Sequence, residues 1–124
     1  MSATPALRIA LADDQALVRA GLRALLERLE VAVVVEADDG ASLLDAVGAA
    51  PVDVVLSDVR MPGMDGIAMV RALRERGDAT PVLLLTTFDD SALLLDATHA
   101  GAQGFLLKDA APEDLHRAIV HLAA

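Results

Sequence analysis

Five residues in this chain have types and positions suited to phosphoryl chemistry: the carboxylates of Asp13, Asp14 and Asp58, the hydroxyl of Thr86 and the ammonium of Lys108. Carboxylates held close together repel, and their pKa values rise unless a cation joins them. A small hard cation such as Mg²⁺ takes oxygen ligands, keeps several waters, and binds through one or two carboxylates plus phosphate oxygens. A carboxylate is also a nucleophile toward phosphorus, giving an aspartyl phosphate. That transfer is mostly positioning and charge neutralisation. The metal and Lys108 would supply positive charge, and Thr86 a hydrogen bond to a phosphoryl oxygen.

Each residue taken alone has a plainer reading. Asp13 or Asp14 could cap a helix. Asp58 could open a turn. Lys108 could be a solvated loop lysine, and Thr86 an ordinary β-branched strand residue. Their joint placement decides between these readings and depends on the elements that carry them.

Short, nearly continuous apolar runs cover Leu7 to Ala12, Val31 to Glu36, Val52 to Ser57, Pro81 to Thr86 and Gly104 to Leu107. Strands covered by helices on both faces of a parallel sheet read this way. Helical patterns fill the gaps. Val18, Leu22, Leu25, Leu26 and Leu29 share one helix face, and Leu115, Ala118, Ile119 and Leu122 another. The last helix should start near Pro112, with Glu113 and Asp114 at the positive end of its dipole. Further helices are expected near Ala41 to Ala49, Gly66 to Arg76 and Ser91 to Ala100, with Gly77 and Gly101 as C-caps of the last two. The sum is an α/β fold of five βα units, with a five-stranded parallel sheet and right-handed crossovers. Ligands collect at the carboxyl ends of such strands. Asp13 and Asp14 follow the first strand, Asp58 the third and Lys108 the fifth, and Thr86 ends the fourth. All five therefore fall on one edge.

Bulk properties agree. The 124 residues suffice for one domain, 1–124, with no effector domain in the chain. There is no cysteine, which removes thiol catalysis, Cys-ligated zinc and disulfide scaffolds. Hydrophobic residues make up 55%, but no run approaches a bilayer span, and Met1 to Leu7 lacks the form of a signal peptide. A soluble, cytoplasmic protein is expected, without membrane contact. The net charge of -9 argues against direct nucleic-acid binding. It suits a cation or a partner with a basic face, or simply solubility.

The motifs resemble the response-regulator receiver domains of bacterial two-component systems, in the NarL/FixJ (LuxR-type) subgroup. The matching pieces are Ala12-Asp13-Asp14-Gln15, the segment from Ser57-Asp58 to Asp65-Gly66, Leu85-Thr86-Thr87-Phe88, and Gly101 to Lys108-Asp109. The Leu17 to Arg23 segment also looks typical of the subgroup. The resemblance spans essentially the whole chain. It implies a flavodoxin-like strand order of 2-1-3-4-5 and a signalling receiver that catalyses its own phosphorylation and dephosphorylation. Asp58 would be the phosphoacceptor. Asp14, Asp58 and the Arg60 backbone carbonyl would ligate Mg²⁺, with Asp13 acting mainly through bound water. Lys108 would pair with the phosphoryl group, and Thr86 and Phe105 would form a switch pair. The donor would be a sensor histidine kinase. The output would be a changed surface around the fourth helix, fifth strand and fifth helix, controlling a DNA-binding effector domain or dimerisation. The first and fifth helices are a competing dimer surface.

Other readings remain beside it. An Asp-nucleophile phosphohydrolase usually has a second Asp two residues after the nucleophile, where this chain has Arg60. A phosphorylation-independent interaction module would not need the five residues intact. A flavin-binding protein would not place Asp13 and Asp14 beside a phosphate. Asp109 follows Lys108 where many receivers carry a cis proline, so a trans bond is expected. Arg60 and Phe88 are bulky and flank the expected path of attacking water, which predicts slow hydrolysis. In the loop after Asp58, Pro62, Gly63 and Gly66 make either an ordinary turn or a specialised one. Leu93, Leu94 and Leu95 are either a wide buried face or partly an association surface. His99, His116 and His121 are expected on helix surfaces.

Overall fold

The structure is a computed structural model that describes residues 7–124, apart from the side chains of Phe88 and Asp89. The signal-peptide reading of the first residues and the Phe88 side chain thus lie outside the described residues. The strands β1 (Leu7–Ala12), β2 (Val31–Ala37), β3 (Val54–Asp58), β4 (Val82–Thr86) and β5 (Gly104–Leu107) alternate with five helices. These are α1 (Ala16–Arg28), α2 (Gly40–Ala49), α3 (Gly66–Glu75), α4 (Leu94–Ala100) and α5 (Pro112–Ala123). Every pairing is parallel, in the order β2-β1-β3-β4-β5. The expected fold class and strand order are both present.

The apolar strands bury both faces because successive side chains point oppositely. Ala10, Ala12, Val55, Val82 and Leu84 pack with Leu43 and Val47 of α2, Val70 and Leu73 of α3, and Ala97 of α4. Ile9, Leu11, Val54, Leu56, Leu83 and Leu85 pack with Leu26 of α1 and Leu115 and Ile119 of α5. Each fully buried Leu or Ile side chain contributes about 1.5–3 kcal/mol relative to exposure. These two layers hold the sheet edge rigid.

Strand β2 is present where expected and carries a bulge that its continuous apolar run does not reveal. Val33 pairs with Ile9, but Val35, not Val34, pairs with Ala10. Val34 is an extra residue that flips the alternation. Val31 and Val33 therefore join the α1/α5 layer, whereas Val35 and Ala37 join the α2–α4 layer.

Two helices also differ from expectation. On α1, Leu22, Leu25, Leu26 and Leu29 pack inward, but Val18 is exposed and neighbouring Leu17 is 88% exposed. The inward apolar stripe starts at Leu22, beyond the first turn. The segment expected as one helix from Ser91 divides into a 3-10 turn, Phe88–Leu93, and α4 from Leu94. Leu93 and Leu94 are half-buried, while Leu95 is 66% exposed, so part of the leucine run does face outward.

Glycine is required at two places. A Cβ on Gly66 would lie 2.4 Å from the Asp58 carbonyl oxygen, so only glycine lets α3 begin this close to the end of β3. Gly101 caps α4 at φ +112, in the left-handed region, as expected. No peptide bond among the described residues is cis, so Lys108–Asp109 is trans as expected. His99 and His121 are exposed on α4 and α5, and His116 is partly so. Among the described residues no helix is long and apolar enough to cross a membrane.

Candidate functional site

The ends of β1, β3, β4 and β5 converge on one edge and bring together the residues singled out above. Asp13 is fully buried, Asp58 is 4% exposed, and Asp14 is exposed. One carboxylate oxygen from each lies within 4.8 Å of the others. Lys108 donates from Nζ to Asp58 Oδ2 at 2.7 Å. The backbone N–H of Lys108 donates to the Thr86 carbonyl at 2.8 Å, which fixes where its side chain departs.

Neither Asp13 nor Asp14 caps α1. Its N-cap is Gln15, whose side chain makes no capping bond. Asp13 Oδ1 instead accepts the Gln15 N–H at 2.8 Å, which turns the chain out of β1 and into the helix. Arg19 reaches back to the Asp13 carbonyl at 2.6 Å and pairs with Glu36 at 3.3 Å. The other Asp13 oxygen, Oδ2, is buried with no hydrogen-bond partner. A buried carboxylate oxygen without a donor is costly. A hard cation with bound waters would satisfy it, and the three-carboxylate oxygen set has the chemistry to hold one.

Asp58 ends β3, and its Oδ1 lies 3.4 Å from the Arg60 N–H. Its carboxyl is pushed above the ordinary carboxylate range, first by burial and also by the Asp13 charge, although Lys108 pulls the other way. Burial alone would lower the Lys108 ammonium. The hydrogen bond and charge of Asp58, with the charges of Asp13 and Asp14, outweigh it and hold Lys108 above its ordinary value. The partners respond unequally because Asp58 is the deeper one: its side chain is 5% exposed, against 30% for Lys108.

Thr86 is buried at the end of β4, and its hydroxyl donates to the Leu106 carbonyl at 3.4 Å. Phe105 pairs in register with Leu84 and packs, half-buried, against the α2–α4 layer. Thr86 pairs with Leu107, so Phe105 sits one same-face step back along the sheet. Two open recesses flank the cluster, one lined in part by Lys108 and the other by Asp14. Thr86, Thr87, Leu107, Lys108 and Asp109 line one of about 190 Å³. Asp14, Arg60, Met61, Pro62 and Asp65 line another of about 360 Å³.

One residue of the site escaped the sequence reading. Asp90 is 1% exposed, and its Oδ2 accepts the Thr87 N–H at 2.8 Å and the Thr87 hydroxyl at 3.2 Å. Arg60 Nε donates to its Oδ1. Thr87-Phe88-Asp89-Asp90 spells a helix-start signature of the Thr-x-x-acid type, which was the available signal.

Comparison with known proteins matches this architecture. The family model described as "Response regulator receiver domain" matches residues 9–120. The Mycobacterium tuberculosis protein named "Probable transcriptional regulatory protein NarL" is 43% identical over 117 residues, which are 94% of this chain and 54% of that protein. The "Nitrate/nitrite response regulator protein NarP" of Escherichia coli (strain K12) is 42% identical over 118 residues, again 94% and 54%. Among solved structures, the signal receiver domain of the response regulator NarL from Mycobacterium tuberculosis superposes with a TM-score of 0.88 at 41% identity, covering 97% of this chain and 98% of that one. The chain thus spans about half the length of the curated relatives it matches. With fold, edge and sequence in agreement, the chain belongs to the response regulator receiver family, in its NarL-type branch.

Proposed function

We propose that Asp58 accepts a phosphoryl group from a phosphohistidine on a sensor kinase, and that this transfer switches an output surface. One observation carries the reading: the buried Asp58 carboxylate lies within 4.8 Å of the Asp13 and Asp14 carboxylates and 2.7 Å from the Lys108 ammonium. In the transfer, an Asp58 oxygen forms an O–P bond as the donor's N–P bond breaks, and the leaving imidazole takes up a proton. Asp13, Asp14, Asp58 and the Arg60 carbonyl would hold Mg²⁺, which when bound neutralises the carboxylates and the phosphoryl oxygens. The unpartnered Asp13 oxygen supports that assignment.

Lys108 then orients the phosphoryl group through the contact it now makes with Asp58. Thr86 rotates from the Leu106 carbonyl toward a phosphoryl oxygen, and Phe105 follows inward. The changed surface of α4, β5 and α5 contacts a DNA-binding effector segment or a second copy, with the α1 and α5 face as the competing dimer surface. The setting is cytoplasmic, and the acidic receiver itself touches neither nucleic acid nor membrane. Arg60 shields the bond from water and slows hydrolysis. The test is intact mass after incubation with acetyl phosphate and Mg²⁺. One added phosphoryl group, absent without Mg²⁺ and absent in Asp58→Ala, supports the reading. No gain from acetyl phosphate or from a phosphorylated kinase, together with no Mg²⁺ binding, would leave a constitutive interaction module.

A further inference from the structure

Arg60 and Asp90 are 30 residues apart in sequence, and their ion pair joins the loop after β3 to the turn after β4. Arg60 Nε donates to Asp90 Oδ1 at 2.5 Å. A carboxylate as buried as that of Asp90 keeps its charge only with partners. Burial works against its charge, but the Thr87 N–H, the Arg60 guanidinium and the Thr87 hydroxyl prevail and hold it below the ordinary range. Arg60 is its only cationic partner among the described residues. Through its other oxygen, Asp90 holds the start of the 3-10 turn Phe88–Leu93 that leads into α4. Such turns have poor internal hydrogen-bond geometry, so a weakened cap is felt there.

Arg60 is also two residues from Asp58, and its side chain is 64% exposed. A phosphoryl group brings a charge of about -1.5 to -2 and three acceptor oxygens. Guanidinium binds phosphate through two parallel hydrogen bonds, whereas Asp90 offers it one oxygen. We propose that the Arg60–Asp90 pair is a latch: it holds the β4–α4 turn in the form seen here, and a phosphoryl group on Asp58 draws the guanidinium away and frees that turn. The release step rests on Asp58 being the acceptor.

The far end of α4 is held separately. Arg74 donates from Nε and Nη2 to the Gly101 carbonyl at 3.2 and 3.0 Å, and from Nη2 to Gln103 Oε1 at 2.8 Å. Its Nη1 also reaches the Asp78 and Thr80 carbonyls. None of these bonds involves the latch. Release therefore loosens the near end of α4 and leaves its far end in place.

Hydrogen exchange read by peptide mass spectrometry tests this on wild type and Arg60→Met, each with and without acetyl phosphate and Mg²⁺. Intact mass of the same samples reports phosphoryl occupancy. The latch predicts that unphosphorylated Arg60→Met exchanges several-fold faster than wild type over 87–95 and equally over 97–103. Phosphorylated wild type shows the same local increase, and phosphorylated Arg60→Met adds little to it. Equal exchange over 87–95 in the unphosphorylated pair would overturn the latch, as would an increase spread evenly through 97–103. Unchanged exchange in wild type that carries the phosphoryl group would overturn the release step. If no phosphoryl group is gained from acetyl phosphate or from a phosphorylated kinase, and no Mg²⁺ binds, the acceptor reading and the release step fall together, while the unphosphorylated comparison still decides whether the pair holds the turn.

Discussion

Lys108 Nζ and Asp58 Oδ2 stand 2.7 Å apart, and this bond ties the end of β5 to the end of β3. The bond does more than neutralise charge. Asp58 is buried beside a second buried carboxylate, so without a cation its ionised form would be strongly disfavoured. As the proposed nucleophile, Asp58 must be ionised to attack phosphorus, and the Lys108 ammonium favours that form against the burial.

Lys108→Met is therefore expected to cut the rate of phosphoryl gain from acetyl phosphate on the order of 10²-fold, the scale of losing one charge-stabilising donor in a catalytic site. Lys108 is partly exposed, so the fold should survive. A mass time course beside a thermal melt separates the two effects. A wild-type rate in the variant would remove Lys108 from the chemistry.

Mg²⁺ should stabilise the wild-type protein, because it joins carboxylates that otherwise repel. The gain at a hundredfold excess over Kd is about 2.7 kcal/mol. Asp13→Asn keeps the acceptor for the Gln15 N–H but removes one negative charge from the cluster. The variant should be more stable than wild type without Mg²⁺ and should gain much less when it is added. Melting curves with and without the ion check both signs.

Gly66→Ala should destabilise the fold by about 1–3 kcal/mol, the usual range for forced overpacking. The new Cβ would meet the Asp58 carbonyl at 2.4 Å, which is backbone and cannot swing aside. The shift falls on Asp58, the proposed acceptor, so phosphoryl gain should slow as well. Urea midpoints and the mass assay measure the two losses. Wild-type values in both would show that the loop after β3 yields more easily than its packing suggests.

Asp78 gives a pH prediction away from the site. The Thr80 hydroxyl and N–H donate to its Oδ1 at 2.6 and 2.9 Å. These bonds, helped by Arg76 and Arg74, hold its carboxyl below the ordinary value of 3.8. A carboxyl lowered by folding stabilises the protein above its unfolded value, and that contribution is lost as pH falls through the folded value. Wild type should exceed Asp78→Asn in stability at neutral pH, and the gap should close below 3.8. Urea midpoints across that range test it, and a constant gap would contradict it.

Much of this was legible in the chain because parallel sheets write themselves plainly. Continuous apolar runs mark strands buried on both faces, and the residue after each run stands on the edge where ligands bind. Asp13, Asp14, Asp58, Thr86 and Lys108 were found that way. The same continuity concealed the bulge at Val34, since a run of valines carries no alternation from which to read a register. Val18 continued the apolar spacing of α1, but spacing does not say where the sheet beneath the helix ends. Asp90 was hidden for a different reason. The Thr87 to Asp90 signature was visible, but the partner that matters, Arg60, lies on another strand's loop and meets it only through the β3–β4 pairing.

The central claim is that Asp58 carries the phosphoryl group, and borohydride trapping tests it most directly. Borohydride reduces an aspartyl phosphate to homoserine, so peptide sequencing after acetyl phosphate and Mg²⁺ treatment reads the acceptor position. The account predicts homoserine at position 58, dependent on Mg²⁺, with Asp13 and Asp14 unmodified. Homoserine at position 13 or 14, or a phosphoryl group retained by Asp58→Ala, would contradict it.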